Sequence, residues 1–251
     1  MINRITSFII FLLFSFTCIT AQETDVISVG MGYSMQTYYK LSDGSSVSVA
    51  NDAWDICFSA AGQQDAGVFI NDSASSTGVP IKLYLAPTIE WTDDITNTDQ
   101  FVDSIALYNP ELNWTEGAFN SIKIPGNAFD YGWGIYKPQN FSVVGNKIFV
   151  IKLRDGSFLK FQIVKLTGIT YTFKYAKLDG SNEFEKTITK GNKSLIHFSF
   201  KTNELVDIPT NYDLIFQRYS SITTAPNDPS ISQEYMVTGV LSAPGVQVAK
   251  A

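Results

Sequence analysis

Apolar residues recur at every second position over short stretches of this chain, and turn-forming pairs separate the stretches. Three Asp-Gly pairs, at residues 43–44, 155–156 and 179–180, lie between such stretches. Glycine readily adopts the positive φ that a tight hairpin turn requires, so each pair predicts a β-hairpin. The pattern therefore indicates strands that pair with their neighbours in an antiparallel manner.

The strongest hairpin is KIFVIKLRDGSFLKFQIVKL, residues 147–166, which is apolar on both faces and predicts a central pair of strands. ITYTFKYAKL, residues 169–178, predicts the next strand of a meander, with three aromatic side chains on one face. Residues 79–91 predict a strand that Pro87 interrupts, and residues 92–109 predict one short turn of helix. We expect an all-β fold, an antiparallel β-sandwich or meander with little helix. Residues 71–78 and 223–232 predict mobile surface loops.

Two segments about 160 residues apart share one pattern of apolar and polar positions. YYKLSDGSSVSVANDAWDICF aligns with HFSFKTNELVDIPTNYDLIF, so that Trp54-Asp55-Ile56-Cys57-Phe58 matches residues 212–216. Each copy predicts a strand, a turn, a strand, a loop and a last strand. Alternation predicts that Trp54, Ile56 and Phe58 share a core face, and that the shared aspartate points away to bond a loop backbone.

The N-terminal residues predict export. Residues 1–21 contain one arginine, a long apolar run and a small-residue cleavage site at Ala21, which is typical of a signal peptide. A lipid anchor at Cys18 is the less favoured alternative, because the residues before it match a lipobox poorly. After cleavage at Ala21 only Cys57 remains, so an internal disulfide is excluded and we expect it to be a buried, inert thiol. The mature protein is expected to be secreted or held at the outer cell surface, without a transmembrane span.

Charge and composition exclude some partners. The net charge is −6 and basic residues do not cluster, so nucleic acid is not an expected partner. We expect no enzymatic activity, because the single histidine lies in a plain strand and no G-x-S-x-G elbow is present. The acidic segment TDDITNTDQ lacks the spacing of a calcium loop, so no metal site is expected.

The pattern Y-Y-x-L-x-x-G-x-x-V, then W-D-I-C-F, then Gly132-Trp133 and an Ile-Phe-Val strand with its Asp-Gly turn resembles the HmuY family over roughly residues 33–181. The resemblance implies a secreted or lipid-anchored all-β haem-binding protein that works with an outer-membrane haem receptor in Bacteroidetes-type bacteria. The predicted organisation is a signal peptide at residues 1–21, an HmuY-like β domain at 22–182, and a second, partial repeat at 183–251 that packs on the first.

The resemblance implies two axial histidines, or methionines as in some relatives, and this chain has a single histidine. The segment after Gly132-Trp133 has no histidine, and His197 is expected on a solvent-facing side of its strand. The methionines are expected as core filler, and the aromatic patch near the glycines as core or pocket wall. The candidate residues for binding haem or another porphyrin are Met31, Met35, Tyr131, Trp133, Tyr136 and His197.

Two functions remain open from the sequence. The first is an exported HmuY-like protein that binds haem or a related porphyrin at the cell surface for iron acquisition. The second is a non-catalytic surface module for adhesion or assembly that has lost the haem site.

Overall fold

A computed structural model describes residues 24–62 and 65–249. The predicted signal peptide and Cys18 lie outside this part of the chain. The described residues form β-strands and three short 3₁₀ helices, at Met31–Tyr33, Asp103–Ile105 and Ala118–Asn120. The strands are β1 (Met35–Tyr39), β2 (Ser46–Ala50), β3 (Ile56–Ser59), β4 (Val68–Ile70), β5 (Lys82–Leu85), β6 (Gly134–Lys137), β7 (Ser142–Gly145), β8 (Phe149–Lys152), β9 (Phe158–Thr167), β10 (Thr170–Lys177), β11 (Phe184–Thr189), β12 (Leu195–Ser199), β13 (Glu204–Val206), β14 (Leu214–Ala225) and β15 (Asp228–Ser242). The strand pairs are antiparallel, so the predicted all-β class is confirmed.

The three Asp-Gly pairs turn the hairpins that the sequence predicted. They connect β1 to β2, β8 to β9 and β10 to β11. Gly44, Gly156 and Gly180 have φ values of 68°, 84° and 78°, in the left-handed region where glycine carries no steric cost. In each turn the aspartate carboxylate accepts hydrogen bonds from the backbone N–H and hydroxyl of the serine two residues later. The turns are thus fixed by local chemistry.

The largest sheet has the order β11-β10-β9-β7-β6, and β8 joins β9 to β5. β9 is long enough to pair with β8 along its first half and with β7 along its second half. Tyr171, Phe173 and Tyr175 of β10 lie buried in one core, as their alternation predicted. The strand predicted at residues 79–91 is β5, which ends before Pro87, and the short helical turn predicted at 92–109 is the second 3₁₀ helix.

A second sheet, β13-β12-β3-β4, forms the middle layer of the molecule. Ile56 and Phe58 of β3 pack in the core shared with the largest sheet. Cys57, between them, points the opposite way and packs with Tyr38 of β1 and Ile215 of β14. Those strands belong to the third sheet, β15-β14-β1-β2. Because sheets cover both of its faces, the middle sheet has a fully buried β3, β4 and β12.

The two segments with the shared pattern exchange their last strands, which are β3 in the first segment and β14 in the second. The β1–β2 hairpin pairs with β14, and the β12–β13 hairpin pairs with β3. The register is the same in both, since Tyr38 lies opposite Ile215 and His197 lies opposite Cys57. Strands from residues 195–242 therefore complete sheets whose other strands come from residues 35–70. Duplication as the origin of this arrangement stays a hypothesis.

Three local predictions are wrong, one of them in part. Trp54 packs beside Cys57 instead of beside Ile56 and Phe58, because β3 begins only at Ile56 and the alternation does not extend before it. Residues 71–78 form a loop as predicted, but residues 71–74 are buried, because the Arg154 guanidinium donates to the carbonyl oxygens of Asn71 and Ser73. Residues 223–232 lie in the ends of β14 and β15 and the turn between them.

Within residues 24–62 and 65–249, no helix has the length and apolar character needed to cross a membrane.

Candidate functional site

His197 is buried in the middle sheet, with only 7% of its surface exposed. The prediction of a solvent-facing histidine is wrong, because the third sheet covers the face of β12 that the alternation assigned to solvent. The imidazole meets the indole of Trp54 edge to face, with ring centroids 4.8 Å apart. Burial, with a smaller contribution from Lys193, lowers the pKa of His197 to about 3. The imidazole is therefore neutral at physiological pH.

A cavity of about 110 Å³ lies beside His197, between the middle sheet and the third sheet. Tyr38, Trp54, Cys57 and Tyr212 share its wall with His197. Pockets that hold drug-sized ligands measure about 300 to 1,000 Å³. The space next to the only histidine of the chain is therefore too small for a porphyrin ring.

The two methionine candidates lie apart from His197. Met31 is 96% exposed in the first 3₁₀ helix, so it does not share a strand face with Met35, which begins β1. Neither side chain contributes to the wall of the cavity beside His197. A thioether pair around an iron atom is therefore not formed here.

The aromatic patch near the glycines belongs to the core. Trp133 is fully buried, and its indole N–H donates to the carbonyl oxygen of Ala66 at 2.9 Å. Tyr131 and Tyr136 are partly buried and pack against the same core. The patch is therefore part of the core, and none of its three rings lines the cavity beside His197.

The residues available do not fit a haem iron held by two side chains. Haem iron takes its axial ligands from His, Met, Cys or Tyr in an apolar slot. The six candidates lie in three separate places: the N-terminal 3₁₀ helix and β1, the β6 region, and the middle sheet. Among the described residues, no group of three His, Cys, Asp or Glu side chains could hold a metal ion.

A larger groove, which the sequence did not predict, lies where the largest sheet meets the β12–β13 turn. Its volume is about 730 Å³, within the range of small-molecule sites. We call it the turn groove. Its wall consists of Asp52, Asp55, Leu153, Arg154, Asp155, Leu159, Tyr175, Lys177, Asn182, Phe184, Phe200, Lys201 and Asn203.

Aromatic rings form the apolar surface of the turn groove. Phe184 stacks on Tyr175 with ring centroids 5.3 Å apart and an interplanar angle of 28°. Phe200 meets Tyr175 edge to face at 4.9 Å. Phe184 is 42% exposed, so one part of its ring is free to contact a ligand.

The charges of the turn groove balance. Lys177 and Lys201 are exposed on the groove wall, while Arg154 is held by backbone carbonyls. Asp55 is buried, and burial raises the pKa of its carboxyl group. The exposed charges of the wall are therefore two lysines, Lys177 and Lys201, and two aspartates, Asp52 and Asp155.

The only signals for the turn groove in the sequence were the aromatic residues at the ends of predicted strands. Phe200 follows β12 directly and Phe184 begins β11, 16 residues before it. Their contact through Tyr175 depends on the pairing of β12 with β3, which joins the two segments in space. Local patterns do not contain that information.

Comparison with known proteins identifies the family. The family model described as HmuY protein matches residues 32–179, which is more than half of the chain. The match includes the W-D-I-C-F segment, the Gly132-Trp133 pair and the β8–β9 hairpin. No curated protein and no solved structure matches the chain. The chain belongs to the HmuY family.

Proposed function

We propose that this HmuY-family protein is exported and binds a planar porphyrin, haem or its iron-free form, in the turn groove for uptake at the cell surface. The observation that carries the proposal is the stacked pair of Phe184 and Tyr175 in a groove of about 730 Å³ with exposed lysines. Family membership supports the ligand class. An outer-membrane receptor as the acceptor of the ligand is part of the same proposal.

The aromatic floor supports a flat, apolar ligand. The porphyrin face would extend the stack that Phe184 and Tyr175 begin, and stacked aromatic pairs add about 0.5 to 1.5 kcal/mol beyond the area that they bury. Lys177 and Lys201 would pair with the two carboxylates at the porphyrin edge. The wall of the turn groove can thus contact both the apolar face of a porphyrin and its anionic edge.

The groove offers the iron no axial ligand among its described residues. No His, Met or Cys lies in its wall. The Tyr175 hydroxyl donates to the Asn203 side chain at 2.6 Å, and burial with the nearby Asp55 raises the pKa of Tyr175 to about 12. A phenolate ligand is therefore disfavoured. Binding should depend on stacking and charge, so iron-free protoporphyrin IX and haemin should bind with similar affinity.

The test is a titration of the mature protein with haemin and with protoporphyrin IX, followed by absorbance and by quenching of tryptophan fluorescence. We expect saturable binding of both at micromolar concentration. Phe184→Ala should lower the affinity for haemin and for protoporphyrin IX about three- to tenfold, because it removes one stacking partner. Phe141→Ala is the matched control, since Phe141 is 77% exposed at a distant turn. Absence of saturation, or equal weakening by both variants, would contradict the proposal.

One observation favours the alternative of a surface assembly module. The β14–β15 hairpin extends well beyond the three residues of β14 that pair with β1, and Ile222 and Tyr235 are exposed on it. Exposed strand edges pair readily with other chains. If this hairpin assembles copies of the protein, sedimentation velocity should show concentration-dependent association that Ile222→Lys abolishes. A monomer at all concentrations would rule out self-assembly through this hairpin.

A further inference from the structure

The cavity beside His197 is a built site that the porphyrin proposal does not use. Two aromatic pairs frame it, and the alignment of the two segments relates one pair to the other. Tyr38 meets Tyr212 at 4.9 Å and 76°, and His197 meets Trp54 at 4.8 Å and 72°. Both pairs stand edge to face, so the cavity lies between rings that are held at fixed angles.

Most polar atoms of these rings already have partners. The Tyr38 hydroxyl and the Trp54 indole N–H both donate to the side-chain oxygen of the buried Gln36, at 3.1 and 3.0 Å. Trp114, at the edge of the cavity, donates to the carbonyl oxygen of Ser242 at 2.8 Å. These bonds fix the rings of Tyr38, Trp54 and Trp114 and occupy their polar hydrogens.

His197 and Tyr212 are the exceptions. The His197 imidazole makes no hydrogen bond with any residue that the structure describes, although 93% of its surface is buried. A neutral imidazole has one donor and one acceptor nitrogen. The described polar atoms that are fully enclosed and lack a partner are the Tyr84 hydroxyl and the Arg154 Nε, so the nitrogens of His197, which lines the cavity, are within reach of a small molecule that could complete their hydrogen bonds. The Tyr212 hydroxyl likewise has no hydrogen-bond partner within the described part of the chain.

The size of the space limits what could complete these bonds. The volume of about 110 Å³ is on the scale of an engineered cavity of about 150 Å³ that binds benzene. It exceeds what one water occupies, and it is far below the range for drug-sized ligands. The apolar part of the wall includes Phe69, Leu195 and Ile215.

Residues 110–113 are exposed and form the outer wall of the cavity. A residue fixed by contacts with β4 flanks the segment at each end. Asn109 bonds the backbone N–H and carbonyl of Ile70, and Trp114 contacts Phe69 with ring centroids 5.8 Å apart. The four residues between Asn109 and Trp114 separate the cavity from solvent, so a ligand has a short path inward.

We propose that this cavity binds one small aromatic molecule that carries a single hydroxyl group, of the size and chemistry of phenol. The ring would fill the space between the two aromatic pairs. The hydroxyl would donate a hydrogen bond to the unprotonated imidazole nitrogen of His197 or accept one from the imidazole N–H. The Tyr212 hydroxyl lies on the same wall and can complete the network.

The experiment uses the single histidine of the chain as a reporter. Mature protein, with any affinity tag removed, is labelled with ¹⁵N-histidine and titrated with phenol and, separately, with benzene. We expect phenol to shift the imidazole nitrogen signals saturably. His197→Phe keeps an aromatic ring at this position and removes the hydrogen bond. It should lower the affinity for phenol about tenfold and change the affinity for benzene by less than about threefold.

Tyr171→Phe is the matched control, because it removes a buried hydroxyl that donates to Ser59 and Asp65 away from this cavity. It should leave the affinity for phenol unchanged, and Phe184→Ala in the turn groove should do the same. Imidazole signals that do not move at millimolar phenol, or equal phenol affinity in His197→Phe and the unaltered protein, would overturn the proposal. The titration of the unaltered protein decides the question even if His197→Phe does not fold.

Discussion

The carboxylate of Asp55 accepts a hydrogen bond from the backbone N–H of Phe200 at 2.7 Å, across 145 residues of chain. The aligned aspartate of the second segment, Asp213, accepts from the backbone N–H of Leu41 at 2.8 Å. Each aspartate thus binds the turn of the hairpin to which its own strand is added. The alternation of the strand predicted a bond from this aspartate to a loop backbone, and in the structure that loop belongs to the other segment.

Asp55→Ala should destabilise the protein by about 1 to 3 kcal/mol, because it leaves the partly buried N–H of Phe200 without an acceptor. Asp213→Ala should cost less than about 1 kcal/mol, because the N–H of Leu41 is exposed and water can replace the carboxylate. Urea unfolding of both variants measures the difference. Asp55→Asn, which keeps an acceptor oxygen, is the control and should lie close to the unaltered protein. Equal losses for the two alanine variants would contradict the argument from burial.

The stability of the protein should fall as pH rises from about 4 to 7 through the titration of Asp72. Burial raises the pKa of Asp72 to about 7, and the nearby carboxylate of Glu234 adds to the rise. The folded state then holds a proton that the unfolded state, with a pKa near 3.9, has released. The resulting stabilisation is complete below about pH 4 and is lost as pH rises through 7. Urea unfolding at pH 5 and pH 8 measures the effect.

Asp72→Asn isolates this contribution. The variant should be close to the unaltered protein in stability at low pH and should become relatively more stable by roughly 1 kcal/mol per pH unit between pH 4 and 7. A constant difference between the two proteins over that range would show that Asp72 keeps its ordinary pKa when folded.

Lys82→Met should destabilise the protein by about 3 to 5 kcal/mol. The Lys82 ammonium pairs with the Glu234 carboxylate, and both side chains are largely buried, at 7% and 16% exposure. The pair connects β5 of the largest sheet to β15, so its loss leaves a buried carboxylate without a counter-ion. Thermal and urea unfolding measure the change.

The double variant Lys82→Met/Glu234→Met should recover most of that loss, because it removes both charges together. The coupling energy from the four proteins should exceed about 1 kcal/mol. Additive effects of the two single substitutions would mean that the pair is effectively exposed to solvent.

Gly132→Ala should cost about 2 to 5 kcal/mol. Gly132 has a φ of 82°, and a Cβ atom there would lie 2.7 Å from the backbone of Asn120. The left-handed backbone costs an alanine roughly 1 to 2 kcal/mol, and the clash adds to it. Gly156→Ala is the matched control, with a φ of 84° and open space around the Cβ position, and should show only the backbone cost. Similar losses in the two variants would mean that Asn120 moves aside freely.

The sequence by itself determined the parts of this protein that depend on neighbouring residues. The Asp-Gly turns, the β8–β9 hairpin and the aromatic face of β10 follow from backbone preferences and two-residue alternation, which act within about ten residues. The family followed from short motifs such as W-D-I-C-F and Gly132-Trp133. The structure supplies a physical reason for that glycine, since only a residue without a side chain fits beside Asn120.

Only the tertiary structure decided which faces are covered. His197 alternates as a solvent-facing residue would, yet the third sheet covers it, and that sheet is assembled from strands at both ends of the chain. The turn groove and the cavity beside His197 arise in the same way, from side chains that lie more than 100 residues apart. Burial depends on contacts between distant segments, and a local pattern of polar and apolar residues does not encode which sheets will meet.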